Sequence, residues 1–507
     1  MCVLLLVLIA TIVPVSAQDY EVTLDLMTGG DSWDPSNAYE PLIEEAIQVE
    51  LNFEVVPGTE YAEKRNVVMA SGDYPDVIQV NPLDPTYIDY VDGGLLQPLD
   101  EWLEKYPVVR DAYTEAQWDA NRASDGNIYH IPRITGFYPM AQSYRKDWAD
   151  ALDIEEPTTV EEYTAMLRAF MEEDPGNLGG VLIPFVPNRL DNVGWLGQII
   201  FTAFGCNYGT WQLDPEDETR IVMGASVPAC KDALNYFRGL LDDGLLDETW
   251  GVSTERGLFK FYAGIAGSTT DWPQFSHLRL EAIQNAFPDI DPAIAYITHM
   301  EGPTGIVGGP LFTPQTKAGG AAVTVAATEE EVDAFFRLLE WQYTDGYELM
   351  TLGVEGITFD VGEDDIKRRR GRDAVLENNP EYDLYMLDRV FFAEPPKYFG
   401  YTRDNPAWND VSDEMFEYVK GVLEEIEEYK VINYGVNMDH DAIREYSGPV
   451  YDIVGEFFTS AILSPGFDMD AEWENYISQL EQAGLPAMTD AVNELNDIDE
   501  INAMVGR

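Results

Sequence analysis

Tyr20-Glu21-Val22-Thr23-Leu24-Asp25-Leu26-Met27, followed at once by Thr28-Gly29-Gly30, alternates apolar and polar side chains at period two and then breaks. That is the pattern of a half-buried strand running into a loop. The loop opens onto Trp33 and a helix from about Pro41 to Glu50. Leu51 to Val56 reads as a second strand, Tyr61 to Ser71 as a helix, and Pro75-Asp76-Val77-Ile78-Gln79-Val80 as a third short strand ending at Asn81. The order β-loop-α-β-α-β implies parallel strands joined by crossover helices, hence an α/β fold. In such sheets ligands sit beyond the carboxyl ends of the strands. The rule selects the loop around Trp33 and the residue Asn81 as binding positions.

Working outward, the 507-residue chain is 45% hydrophobic and 12% aromatic, too apolar for disorder and long enough for at least two cores. A two-lobed globular protein is expected, with no repeat or low-complexity tract interrupting it. Thirty Lys and Arg against 92 Asp and Glu leave a net charge of −62. A field of that size repels nucleic acid and anionic lipid headgroups, which excludes both as partners. It reads as the solvated acidic surface of a protein working in high salt, where repulsion is screened within a few ångströms. It also disfavours a polyanionic ligand unless the cleft is locally basic.

Residues 1 to 17, MCVLLLVLIATIVPVSA, carry no charged side chain, hold an apolar run from Val3 to Val13 and end in the small-x-small site Val15-Ser16-Ala17. They read as an export signal cleaved after Ala17, although the usual positive n-region is missing. The run is too short to span a membrane, and the mature product is expected to be soluble and periplasmic or extracellular. Cys2 precedes the apolar run, so it is not placed as a lipid-anchor cysteine. Two cysteines remain, Cys206 and Cys230, and in an oxidising compartment they form either one disulfide or two buried thiols. Neither has redox or zinc spacing.

Enzymatic signatures are lacking. There is no Gly-x-Ser-x-Gly elbow, His-Glu-x-x-His pair or Walker A loop, and His130, His277, His299 and His440 are scattered. A glycoside hydrolase needs two carboxylates about 5 to 10 Å apart. With 92 acids such a pair is always imaginable, so it carries little information. A repeat-built adhesive protein is a third class, and nothing here points to it.

A set of ordered blocks carries a specific likeness: Ser71-Gly72-Asp73-Tyr74-Pro75-Asp76-Val77, Gly93-Gly94-Leu95-Leu96-Gln97-Pro98-Leu99-Asp100, and Asp125-Gly126-Asn127-Ile128-Tyr129-His130-Ile131-Pro132. Tyr144-Arg145-Lys146-Asp147-Trp148, Pro157 to Tyr163, Leu258 to Trp272, Tyr343 to Gly356 and Trp473 to Gly484 continue the order. Together they resemble the family 1 extracellular solute-binding proteins of ABC importers, most of all the large oligosaccharide-binding, lipoprotein-type branch. The resemblance implies a two-lobed periplasmic-binding-protein fold, type II-like, closing over ligand in an interlobe cleft. It implies a non-catalytic, monomeric receptor that hands a carbohydrate, an oligosaccharide, to a permease. A peptide or amino-acid receptor is the alternative within the class. The lobes are expected at residues 18–138 with 310–360 and at 139–309 with 361–507. The crossings are placed near Tyr138 and near Gly308-Gly309-Pro310, and a helical C-terminal region is expected on the second lobe.

A pyranose offers an apolar face to an aromatic ring and a rim of hydroxyls to directed polar groups. By position, the resemblance selects Asp271 and Trp272, Arg133 and Tyr138 beside the first crossing, and Trp408 in a loop that overhangs the cleft, alongside Trp33 and Asn81. Arg145 and Asp147 read as a structural pair, and Glu355 as a capping residue. Relatives often hold calcium at the turn Asp174 to Pro184. Here Gly176, Leu178, Leu182 and Phe185 occupy positions that need oxygen ligands, so a turn without an ion, and no other cofactor, is expected.

Overall fold

The computed structural model describes residues 20–506 except 31–35, 59, 83, 134–138, 190–194, 254–255, 315–317, 363–366, 385–407, 409–410 and 439. Trp33, Tyr138 and the expected export signal lie outside the described residues.

The opening strand forms as its alternation requires: Thr23–Gly29 buries Leu24 and Leu26 and exposes Thr23 and Asp25. It pairs in parallel with Glu50–Val56 on one side and Val77–Val80 on the other, the crossovers being the helices Tyr39–Ile47 and Tyr61–Ser71. Gly320–Val323, far away in sequence, inserts antiparallel beside Val77–Val80 and also pairs with Ile131–Pro132, completing a five-stranded sheet. The helix Glu329–Tyr343 then covers one face with Phe335, Phe336, Leu338 and Leu339, all fully buried. Its start is fixed by a capping box in which Thr328 and Glu331 exchange side-chain and backbone bonds.

A second sheet has four strands in the order Ile294–Ile297, Ala141–Arg145, Ala266–Asp271, Ile183–Phe185. Ala141–Arg145 runs antiparallel to both neighbours, whereas Ile183–Phe185 is parallel to Ala266–Asp271. All six residues of Ala266–Asp271 are buried, although the sequence AGSTTD has no apolar stripe. Ser268 and Thr270 are tolerated there because their hydroxyls bond to neighbouring segments, whereas Thr269 Oγ1 is buried with no partner among the described residues. Tyr163 and Ser268 share a hydroxyl bond, Gln142 Nε2 donates to both, and Ser268 Oγ donates to Ser143 O. The core on this sheet continues into the C-terminal helices, including Val454 and Phe458 of Asp441–Leu463, Tyr476 of Met469–Gln482 and Val492 of Leu485–Leu495.

The second change of layer falls between Phe312 and Gly320, close after Gly308-Gly309-Pro310. A Cβ on Gly308 would collide with the Ala203 backbone, and one on Gly309 with Tyr429 O, so both glycines serve close packing inside the second layer. Leu311–Phe312 still pairs with Val431–Ile432, and the chain rejoins the first sheet only at Gly320. The described residues of 359–384 pack on the first layer, where the second lobe was expected to resume at residue 361. There Tyr382 meets Tyr39 edge-on, Glu381 O accepts from Ala38 N, and Lys367 pairs with Glu348. The helices from Asp413 onward then close the second core. Cys206 and Cys230 are joined in a disulfide, with Cα atoms 4.9 Å apart. Among the described residues no helix is long and apolar enough to cross a membrane.

Candidate functional site

Carboxyl ends of parallel strands are where α/β sheets bind ligands, and each sheet presents such an edge. On the second sheet Ala266–Asp271 and Ile183–Phe185 point the same way, and both release a tryptophan. Trp272 directly follows its strand, and Trp195 comes from the loop after the other. Both rings are half-buried, and they meet edge to face with centroids 5.8 Å apart and planes at 66°. Ala141, the first residue of this sheet after the chain leaves the first one, pairs with Asp271, so the aromatic pair lies beside the crossing.

The pair is held from beneath by polar bonds. Thr270 Oγ1 donates to Gln142 Oε1 and to Leu196 O, tying the residue after Trp195 to the strand before Trp272. Asn188 is fully buried, and its Nδ2 donates to Thr270 O at 2.9 Å. Its Oδ1 accepts from Arg256 Nη2 and its carbonyl from Leu258 N, which brings a third segment to the same edge.

Asp271, selected with Trp272 as a ligand contact, is fully buried, and both of its oxygens belong to Arg279, through Nε at 2.6 Å and Nη2 at 2.8 Å. The Arg279 guanidinium also lies over the rings of Tyr262 and Phe275, at 4.9 and 5.2 Å from their centroids. Burial first, and the Asp271 charge second, push the Tyr296 phenol well above its ordinary value, so Tyr296 stays neutral against Ser276. Asp271 therefore fixes the strand end that carries Trp272.

Trp408 does not overhang the cleft either. It is buried in a small apolar cluster with Val411, Phe416 and Val419, and its ring lies 5.8 Å from that of Phe275. It braces the turn Pro273–Phe275 that follows Trp272. Gln274, inside that turn, is fully buried, and among the described residues neither its amide oxygen nor its nitrogen has a partner.

At the first sheet's edge Asn81 is exposed at the end of Val77–Val80. Arg133 is half-buried, and its backbone N–H donates to Gly319 O. Gly319 in turn lies against Val80 O and Asn81, so Asn81 and Arg133 are brought together where the two sheets are connected. The Arg145–Asp147 pair forms as read, bidentate at 2.5 and 2.7 Å. At the turn after helix Val160–Glu173 the Asp174 carboxylate accepts from Leu178 N and Gly179 N at 2.9 and 2.7 Å. Among the described residues no group of three or more His, Cys, Asp or Glu is arranged to hold a metal.

Trp195 and Asn188 were missed by sequence reasoning. The same strand-end rule would have found them had Ile183-Pro184-Phe185 been read as a strand instead of the tail of a turn.

A family model described as bacterial extracellular solute-binding protein matches residues 32–348, more than half of the chain. The chain is 24% identical over 438 residues to Lipoprotein LipO of Bacillus subtilis, covering 82% of this chain and 80% of that protein. It is 24% identical over 371 residues to the polygalacturonan/rhamnogalacturonan-binding protein YtcQ of Bacillus subtilis, covering 69% of each. Among solved structures, the Streptococcus pneumoniae ABC-transporter substrate-binding protein FusA in complex with kestose superposes with a TM-score of 0.71 at 19% identity, over 95% of this chain and 100% of that one.

Proposed function

The chain belongs to the bacterial extracellular solute-binding protein family, and from that premise we propose that it captures an oligosaccharide between its two lobes and delivers it to an ABC permease. The observation that carries the reading is the Trp195–Trp272 pair, two half-exposed aromatic rings from two parallel strand ends beside the chain crossing. Such rings stack on the apolar faces of successive sugars, while groups such as Asn81, Arg133 and Gln274 supply hydroxyl partners. Binding energy gained from both lobes favours the closed form, which is the form a permease distinguishes from the empty receptor. Trp33 and Tyr138 belong to the same proposal through their places at the first strand exit and the first crossing.

Capture without turnover is the reading here, because Asp271, the residue before Trp272, has both carboxylate oxygens bonded to Arg279. A hydrolase would require a free acid facing a second one. The receptor works as a monomer outside the cytoplasm, reached through the segment ending at Ala17.

Thermal shift against oligosaccharides, amino acids and short peptides, in high salt, tests the class, since a ligand of the folded state raises the melting temperature with its concentration over Kd. A shift with an oligosaccharide recovered intact is expected. Cleavage of that sugar would favour the hydrolase, and a shift with peptides alone the other receptor class. Trp272→Ala and Trp195→Ala should each weaken sugar binding by about 1 to 2 kcal/mol, measured by calorimetry. Unchanged affinity in folded variants would remove the pair from the site.

Calcium is no part of the reading, because Asp174 already serves two backbone amides. A chelator or millimolar calcium is expected to leave the melting temperature unchanged. Asp174→Ala, which orphans both amides, should cost about 1 kcal/mol of stability.

A further inference from the structure

Cations are scarce in this chain, and carboxylates outnumber them 92 to 30. At the edge that carries the tryptophans the buried acids already have partners. Asp271 is held by Arg279, and Asp247 by Lys260 Nζ at 2.7 Å. Elsewhere Arg65 is taken by Asp84 and Arg145 by Asp147. Arg256 is different. It is exposed, and its guanidinium donates through Nη2 to a neutral acceptor, Asn188 Oδ1, at 2.9 Å, with no carboxylate in ion-pairing range among the described residues. Among the described residues, most of its five N–H donors have no protein acceptor.

Its attachment gives that freedom a meaning. Asn188 is fully buried and is bonded to Thr270 O, two residues before Trp272. Leu258 N donates to the Asn188 carbonyl and fastens the Arg256 segment a second time. A guanidinium is thus fixed, by a buried amide, to the strand that ends in the aromatic pair.

We propose that Arg256 is an anion-recognition residue of this cleft and that the oligosaccharide it serves carries carboxylates, as a chain of uronic acid residues does. The inference rests on the oligosaccharide reading above and narrows it. Arg presents a planar fork that matches a carboxylate with two parallel bonds, and such charge-assisted bonds are about twice as strong as neutral ones. A neutral sugar would gain little from a cation kept clear of so many acids. The acidic surface does not oppose this at close range: in about 1 M salt its field decays within some 3 Å, while a contact pair persists.

The experiment uses the mature protein in high salt and three probes: a tetramer of galacturonic acid, the same tetramer as its methyl ester, and a panel of neutral oligosaccharides, with alginate and glucuronoxylan fragments extending the acidic set. Calorimetry should show binding of an acidic chain, with affinity reduced about tenfold or more in its ester or carboxyl-reduced form. Arg256→Gln should lose about the same factor toward the acid and bind the ester as the unaltered protein does. A residue that only held Asn188 in place would weaken both probes equally, and that result overturns the proposal. So does tight binding of a neutral oligosaccharide with no acidic chain bound. If Trp272→Ala abolishes that neutral binding, the function proposed above survives while this inference fails. If no sugar binds at all, both fall.

Discussion

Asp271→Ala is expected to destabilise the second lobe by about 3 to 5 kcal/mol, because it leaves the Arg279 charge buried without its partner. Asp271 has no exposed surface, and the Arg279 side chain is only 7% exposed, so water cannot replace the lost carboxylate. Both guanidinium bonds, at 2.6 and 2.8 Å, disappear together. The size of the effect reports the orphaned cation, not the net worth of the pair. The double replacement Asp271→Leu with Arg279→Met removes both charges and keeps volume, and it should recover most of the loss. Denaturant midpoints at constant slope measure each step. A single variant within about 1 kcal/mol of the parent would mean that Arg279 finds another acceptor. Ligand affinity provides a second readout. The strand end held by this pair carries Trp272, so a folded Asp271→Ala protein should also bind sugar more weakly, although Asp271 itself is fully buried.

How far the sequence discloses this arrangement depends on which residue is asked. The first sheet was legible, because Leu24 and Leu26 alternate with polar residues and Thr28-Gly29-Gly30 ends the run. The central strand of the second was not legible from periodicity. Ala266–Asp271 is buried throughout, so no alternation survives, and the Ser268 and Thr270 hydroxyls are satisfied by Gln142, Tyr163 and Ser143, residues more than a hundred positions away. Only the likeness to a known family placed Trp272. The packing role of Gly308 and Gly309 was not legible, because a hinge and a tight packing contact both call for glycine, and the contact partners, Ala203 and Tyr429, lie at remote positions. Trp408 failed for a related reason: a tryptophan in a polar loop looks available until Phe275 and Phe416 are seen to enclose it. Arg256 was invisible for the opposite reason, since what marks it is that no described carboxylate pairs with it in an acid-rich chain.

Removing the disulfide, by Cys206→Ala with Cys230→Ala, is expected to cost about 3 kcal/mol. The two residues are 24 apart in sequence, and in the chain-entropy model a loop of that length restrains the unfolded state by roughly 3 to 3.5 kcal/mol at 25 °C. Both cysteines are fully buried in the second core, one just after the helix Gln198–Ala203 and the other at the start of the helix Ala229–Asp242. Losing the sulfurs therefore also loosens packing between these helices. Thermal and denaturant unfolding of the oxidised, reduced and doubly substituted proteins separates the two contributions. Reduction alone should account for the entropic share, with the substitution adding the packing share. Sugar affinity at 25 °C should stay unchanged. The helix after Trp195 is anchored independently by the bond from Thr270 to Leu196 O, so the cross-link stabilises the lobe without setting the site. Equal stability of the oxidised and reduced forms would show that the core alone holds these helices and that the bond adds no stability of its own.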